Sequence, residues 1–562
     1  MRRALVRSLW ATGAVAGAVA MWTWTALPPA RGGTTGTPIA TDARVAYHVH
    51  SQRSDGTGTI EQIAAAAVQA GVAAVVLTDH GDGTRVVDAP RYLAGVLIMD
   101  AVEVSTWAGH YVVLGAAPSP YPLGGEPDAV VEDVRRLGGV GIAAHPGSPK
   151  EGLKWRDWDA PIDGLEWLNA DSEWRDRPRD LGRAVATYPW RAAETISALL
   201  NRPSFELAQW DRLAARRQVV GLAAHDAHAR LGLRGVGEPY DGAVALKVPA
   251  YAPMFAAFSN VVRLAQPLSG EAATDSLAVS RAIAAGHVYA VVTGVAPSGR
   301  VRFTAESGGQ SAGMGDHLVP AGPVALVFDA DVPADARTTL VCEGRPVAGS
   351  AGGRVSWTAM GHAGACRAEV MVGSDATRVP WLVTNPIYVR PLLSEASPRA
   401  LAAPQVVLPL AGSGEVAQWS AELAPGARGQ ATPVDGHPRR VAFSWQLGDA
   451  AGQYAALRID LAAVLAGFDR IILRAAADRP MRIWLQLRAP QGGGRRWGRS
   501  VYLDQTSREV VVPFSALLPL DDQGARAVPL GAVTALLIVV DTVHGRPGSA
   551  GTISFDELWL AR

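Results

Sequence analysis

The sequence predicts an α/β chain: a β/α barrel carrying its site at one face, then two β-sandwich-type domains. Three observations predict it. Residues 43–300 alternate short apolar runs with helical patterns, as parallel strands joined by helices do. The histidines of that region gather at the ends of the apolar runs. From residue 301 the pattern changes to strands and turns.

Taken in order, Arg2, Arg3 and Arg7 precede an uncharged stretch over residues 9–27. A positive flank before an apolar segment marks residues 1–27 as a signal peptide or membrane anchor. The chain is therefore expected to be exported, periplasmic or extracellular, with any membrane contact made through this segment alone. Ala30 is a mediocre cleavage position, so an uncleaved anchor and a removed signal both fit. Residues 28–42, with Pro, Gly and Thr, read as a linker.

Val45-Ala46-Tyr47 then leads into His48 and His50. Residues i and i+2 of a strand point to the same side, so this pair can hold one metal ion. Asp55 follows where the chain turns, and Gly56 permits a tight bend. A helix pattern starts at Thr59 and closes at Gly71, and a strand over residues 72–77 delivers Thr78-Asp79-His80. Residues 95–99 lead to Glu103, and His110 directly precedes the apolar run 111–114. A helix over 126–137 precedes a strand over 139–144 that delivers His145, and 162–168 is another strand. Residues 171–205, rich in tryptophan and arginine, read as a helical insertion over the barrel mouth. Arg175, Arg177, Arg179, Arg183 and Arg202 could meet an anionic substrate or line a solvated helix pair. A helix over 206–217 follows, and a strand over 219–224 delivers His225-Asp226-Ala227-His228.

Residues 301–391 suggest a small antiparallel sandwich holding the only two cysteines, Cys342 and Cys366, on strand-like runs. One disulfide between neighbouring strands is favoured over two buried thiols. Residues 392–404 look like a linker, and 405–562 a second β-rich unit of sandwich or jelly-roll type. In Met481-Arg482-Ile483-Trp484-Leu485-Gln486-Leu487-Arg488, Ile483, Leu485 and Leu487 face one way and Trp484 and Gln486 the other. An outward Trp484, with Trp497 or Tyr502, could stack on a sugar ring or cover a domain interface.

Composition narrows the function. Lys+Arg and Asp+Glu balance at 52 each, which argues against a nucleic-acid-binding surface. There is no Gly-rich nucleotide loop and no convincing Ser-His-Asp arrangement. The first seven of the twelve histidines, His48 to His228, lie within the predicted barrel, joined at equivalent places by Asp55, Glu103 and Asp226. Convergent imidazoles and carboxylates at one barrel face are a metal-site signature. Such groups, His225 set aside, number nine and can neutralise two or three divalent cations, for which Zn, Mn or Fe suit the mixed donors. A water bridging two such ions becomes a hydroxide nucleophile near neutral pH, so no Ser or Cys nucleophile is required. Asp79 and Glu166 are spare carboxylates that could orient a ligand, cap a turn or end a strand.

These residues also carry a resemblance. His48-Val49-His50-Ser51 with Ser54-Asp55-Gly56, Thr78-Asp79-His80, Glu103-Val104-Ser105-Thr106 with His110, Ala144-His145-Pro146 and Asp226-Ala227-His228 resemble the motifs of the PHP (polymerase and histidinol phosphatase) family of metal-dependent hydrolases, over residues 45–230. The resemblance implies a distorted β/α barrel of seven strands with a site for up to three metal ions. It implies His48, His50, Asp55, His80, Glu103, His110, His145, Asp226 and His228 as ligands, with Glu103 bridging two ions, and Glu103, His145 and Asp226 as the catalytic residues. Some family members have a histidine where Asp55 stands, and a carboxylate there favours a harder ion. His225 departs from the family, which usually has a small residue before Asp-Ala-His. On a strand it faces away from Asp226 and is left out of the ligand set. Residues 276–294, Met314-Gly315-Asp316 and Asn385-Pro386-Ile387-Tyr388 are similar to the carbaryl-hydrolase-like exported branch, which hydrolyses more than phosphate esters. Residues 405–562, closing with Ile553-Ser554-Phe555-Asp556-Glu557-Leu558-Trp559, loosely resemble carbohydrate-binding jelly rolls.

The expected activity is hydrolysis of a small-molecule or phosphoester substrate. Two rivals remain: an ester, amide or carbamate hydrolase on the same metals, and a non-catalytic envelope protein that binds glycan through its C-terminal domain.

Overall fold

A computed structural model describes residues 10, 21–34, 36–175, 180–230, 248–391, 403–411, 419–434, 437–461, 465–490, 494–520 and 527–562. The expected N-terminal signal or anchor and the linker at 392–404 fall largely outside the described residues, as do Arg177 and Arg179. Among the described residues no helix is long and apolar enough to cross a membrane. The described chain divides into two compact units. One lies within Met1–Gly81, Val87–Ala116 and Val134–Ala396, the other within Asp82–Val86, Ala117–Asp133 and Ser397–Arg562.

The first unit opens with β1 (Asp42–Val49), α1 (Ile60–Ala70) and β2 (Ala74–Leu77). The helix α1 forms where the sequence offers both ends. Thr59 accepts from the Gln62 backbone and the Gln62 side chain answers at the Thr59 N–H, while Gly71 closes the helix at φ 67°. Ile60, Ile63 and Ala67 are its buried stripe. Next come β3 (Arg91–Leu93), β4 (Val96–Asp100), β5 (Val102–Thr106), β6 (Gly109–Leu114), α2 (Pro127–Arg136, whose first seven residues belong to the second unit), β7 (Val140–Ala143) and β8 (Gly164–Asn169). The insertion is helical as α3 (Ala170–Arg175), α4 (Leu181–Thr187) and α5 (Ala192–Leu199). Then follow α6 (Ser204–Ala214), β9 (Val220–Ala224), α7 (Tyr251–Ala257), β10 (Ser259–Arg263), α8 (Ala272–Ala285) and β11 (Val288–Val291).

These strands do not close into one barrel of seven, as the resemblance led us to expect. β1, β2, β4, β10 and β11 belong to one large sheet, and β5–β6–β7–β8–β9 form a second. The break falls between β4 and β5, because β5 turns back antiparallel onto β6 instead of pairing beside β4. Single bridges, His80 to Glu103 and Val49 to Ala227, span the two sheets. Both edges of the break therefore lie at residues that belong to, or adjoin, the site. The apolar interior between the sheets is continuous, with Val45, Tyr47, Val76, Leu97, Val112, Ile142, Leu222 and Val262 in one core.

Nor does the large sheet end at residue 300. The edge of β11 is taken by a strand at Leu382–Thr384, which carries the sheet on into strands of the cysteine region. A separate four-stranded antiparallel sheet holds Val301–Ser307, Gln310–Gly313, Val324–Ala330 and Arg354–Ala359. Cys342 and Cys366 face each other on neighbouring antiparallel strands and are joined as a disulfide.

The second unit is built on two six-stranded sheets sharing one core, including Phe443, Leu457, Ile471, Ile483, Leu485, Leu487, Ile538 and Phe555. Here a sequence expectation fails. Trp484 is only 1% exposed, and Trp497, at 2%, lies in the sandwich core, so neither presents a ring to a sugar. Trp484 packs with Ala456, Leu537 and Val539 in a separate apolar cluster, and Arg482 on the same face is held by residues 129–133 of the same unit. The fully buried Arg482 donates from Nε to Asp133 Oδ2 at 2.8 Å and from Nη2 to Glu132 Oε2 at 2.5 Å. Tyr502 is half-buried, with the Arg508 guanidinium 5.1 Å from its ring centre.

Candidate metal centre

The nine ligand candidates arrive from strand ends. β1 brings His48 and, one residue past its end, His50; the turn after it brings Asp55; the end of β2 brings His80. Glu103 lies on β5 and His110 on β6, while His145 follows β7 and Asp226 and His228 follow β9. The structure brings all nine together in four overlapping groups: His50, Asp55, His80 and His228; His48, His50 and Asp226; His48, Glu103 and His145; and His80, Glu103 and His110.

Glu103 is the hub, and it is 1% exposed. Its Oε2 lies 3.3 Å from His48 Nε2, 3.2 Å from His50 Nε2 and 3.3 Å from His80 Nδ1. Its Oε1 lies 2.9 Å from His110 Nδ1 and 2.8 Å from His145 Nε2. Asp226 Oδ1 is 3.4 Å from both His48 Nε2 and His50 Nε2. At the other side Asp55 meets His228 at 3.2 Å, His50 at 3.5 Å and His80 at 3.7 Å. Depth separates the two ends. His48, His50 and Glu103 are buried, whereas the side chains of Asp55, His80 and His228 are 18%, 23% and 21% exposed.

Electrostatics follow from this crowding. Burial opposes charge on His48, but the Glu166, Asp226 and Glu103 carboxylates outweigh it and hold its pKa well above the ordinary value. Burial likewise opposes charge on His228, and Asp55 and Asp226 raise it to about 9. Burial would raise Glu103, yet the surrounding imidazoles, His48 first, hold it well below the usual carboxylate range. The same balance depresses Asp226.

These residues fit a cluster of divalent cations. His48 Nε2 and His50 Nε2 face each other at 3.1 Å with two carboxylate oxygens beside them, more electron pairs than protons to share. His145 Nδ1 is buried without a hydrogen-bond partner. Imidazole nitrogens and carboxylate oxygens converging in this way are donors that divalent metal ions take.

Several supporting residues were misread or missed in the sequence. Glu166 does not end its strand; it sits inside β8, fully buried, with Oε1 2.5 Å from His48 Nδ1. A carboxylate flanked by apolar residues in Leu165-Glu166-Trp167-Leu168 was the available signal. Asp79 does cap a turn, the one that carries Asp55, by accepting from Ser51 and Ser54. Tyr251 donates to the His50 carbonyl at 2.8 Å, and no local pattern announces it. His225 is a packing residue, stacked on Phe258 at 4.3 Å between ring centres. Among the described residues, three of the insertion's arginines are engaged within the protein: Arg175 with Asp171, Arg183 with the Ala26 carbonyl and Arg202 with Glu369.

Comparison with known proteins adds one match of sequence. Residues 46–104 match the profile of the PHP domain, a span holding His48, His50, Asp55, His80 and Glu103. No curated protein matches the chain. A family 11 carbohydrate-binding module from Clostridium thermocellum, solved with a β-1,3-1,4-mixed-linked tetrasaccharide, is 14% identical over 27% of this chain and 94% of its own, with a TM-score of 0.24. The agarase AgWH50C is 10% identical over 28% of this chain and 24% of its own, with a TM-score of 0.21. A structure of promiscuous carbohydrate-binding modules of the β-sandwich superfamily is 13% identical over 42% of this chain and 91% of its own, with a TM-score of 0.20. Likenesses this low assign no ligand.

Proposed function

We propose that this chain is an exported metal-dependent hydrolase whose substrate is a phosphoester. The observation that carries the reading is the convergence of nine imidazole and carboxylate side chains on Glu103 and its neighbours. The PHP-domain match supports the same class, since that family comprises metal-dependent hydrolases.

In this reading His48, His50, Asp55, His80, Glu103, His110, His145, Asp226 and His228 would hold two or three ions, with Glu103 a member of two of the four ligand groups. Ions held there supply an acidified water as nucleophile and neutralise charge developing on the substrate. The buried end, with His48, Glu103 and Asp226, excludes solvent from the ligands. The partly exposed end, with Asp55, His80 and His228, is where a substrate enters. Glu103, His145 and Asp226 are the catalytic residues in this reading, as the family resemblance implies. A phosphoester suits a site with several cations, because its oxygens can be shared between them. An ester, amide or carbamate is the competing substrate on the same residues.

Export is supported by Arg2, Arg3 and Arg7 before an uncharged stretch, and by the Cys342–Cys366 disulfide, which persists in oxidising compartments. The test is a panel of chromogenic phosphate and carboxylate esters, run on metal-loaded protein and on His48→Ala. Phosphate-ester turnover that disappears in the variant is the expected result. Turnover of carboxylate esters alone would transfer the assignment to the competing substrates, and no metal-dependent turnover would remove the enzyme reading.

A further inference from the structure

Three of the nine ligand candidates have a left-handed backbone: His48 at φ 65°, His145 at φ 30° and Asp226 at φ 48°. Such conformations persist at non-glycine positions only where the surroundings over-determine them. The same three residues are touched by one pair of side chains on β8. Glu166 Oε1 lies 2.5 Å from His48 Nδ1, and Glu166 Oε2 accepts the His145 backbone N–H at 2.7 Å. Asn169 Nδ2 donates to Glu166 Oε2 at 2.9 Å and to Asp226 Oδ2 at 3.3 Å. Glu166 is fully buried and Asn169 is 5% exposed.

We propose that Glu166 and Asn169 form a positioning brace that sets these three ligands for metal before any metal arrives. The inference rests on the metal-centre reading above. A carboxylate accepts only, so His48 donates from Nδ1, and Nε2 is the ring nitrogen left facing Glu103 and Asp226, where an ion would bind. The other Glu166 oxygen fixes the turn at His145, and Asn169 links that oxygen to Asp226. One strand therefore couples the ring orientation of one ligand to the backbone of a second and the carboxylate of a third. Groups of this kind around metal ligands typically contribute about 10–100-fold to metal affinity.

Glu166→Gln tests it, because the amide cannot accept from both His48 and the His145 N–H: one of the two meets an NH2 group. Full-length protein is stripped with chelator and titrated with Co(II), reading affinity and the visible absorption of the bound ion. Circular dichroism confirms that each variant is folded. The expected result is a roughly 10–100-fold loss of Co(II) affinity and an altered absorption spectrum in Glu166→Gln. Asn169→Ala, which leaves the Glu166–His48 contact in place, is expected to lose about tenfold. If Glu166→Gln does not fold, Asn169→Ala decides. Folded variants that match the parent in affinity and spectrum would overturn the brace, whereas a parent that binds no Co(II) would overturn the metal centre itself.

Discussion

Asp79 holds Ser51 twice, its Oδ1 accepting the Ser51 backbone N–H at 2.7 Å and its Oδ2 the Ser51 hydroxyl at 2.6 Å. The same carboxylate accepts from Ser54 Oγ at 2.7 Å, so it pins the turn between His50 and Asp55 to the end of β2. Asp79→Ala removes all three bonds and strands a buried N–H. The expected cost is about 2–3 kcal/mol of stability, read as a lowered melting temperature, together with weaker metal binding. A variant with unchanged melting and metal content would show that the turn holds itself.

Glu103 faces five histidines and is shared between two of the four ligand groups. Glu103→Ala should therefore retain at least one ion fewer per chain than the parent. Elemental analysis of protein purified without chelators measures it, and equal metal content in both would refute the shared role.

In the second unit, burial and then the Arg482 guanidinium push His544 down to about 4. The imidazole is neutral when folded but takes a proton in the unfolded chain near its ordinary value. Its contribution to stability is full above about pH 6.5 and is lost as pH falls toward 4. Asp541, raised to about 6 by burial, acts with the opposite sign, so the two partly cancel in the parent. The His544→Leu variant isolates the imidazole. Relative to it, the parent should lose about 3 kcal/mol between pH 7 and pH 4, measured by denaturant unfolding at each pH. A pH-independent difference would place the proton on folded His544.

The Cys342–Cys366 bridge closes a loop with a sequence separation of 24. Chain-entropy reasoning gives it about 3 kcal/mol. The Cys342→Ala, Cys366→Ala double variant should unfold at correspondingly lower guanidinium concentration, and reductant should shift the parent but not the variant. Identical curves with and without reductant would show that the pair is not bridged in solution.

Much of the site could be read along the chain, because strand ends are local features. An apolar run that stops at His48, His80, His145 or Asp226 states where a side chain leaves the sheet. The closing of the strands could not be read in that way. Whether β5 pairs beside β4 or turns back on β6 depends on which partner a short apolar segment meets, and both pairings satisfy the same alternation. For the same reason the sheet runs past residue 300, where only the edge of β11 decides what joins it.

Sequence by itself determined the residue types and their order: imidazoles and carboxylates at the ends of apolar runs, a charge balance that disfavours nucleic acid, and alternating strands in the second unit. Tertiary structure alone decided which second groups touch them. Glu166 reaches His48 across 118 positions, Tyr251 reaches the His50 carbonyl across 201, and Ala456, Leu537 and Val539 pack against the Trp484 that alternation had turned outward. The physical reason is range. Periodicity reports which side of its own strand a residue faces, while burial, proton location and backbone strain are set by atoms that the chain brings in from far away.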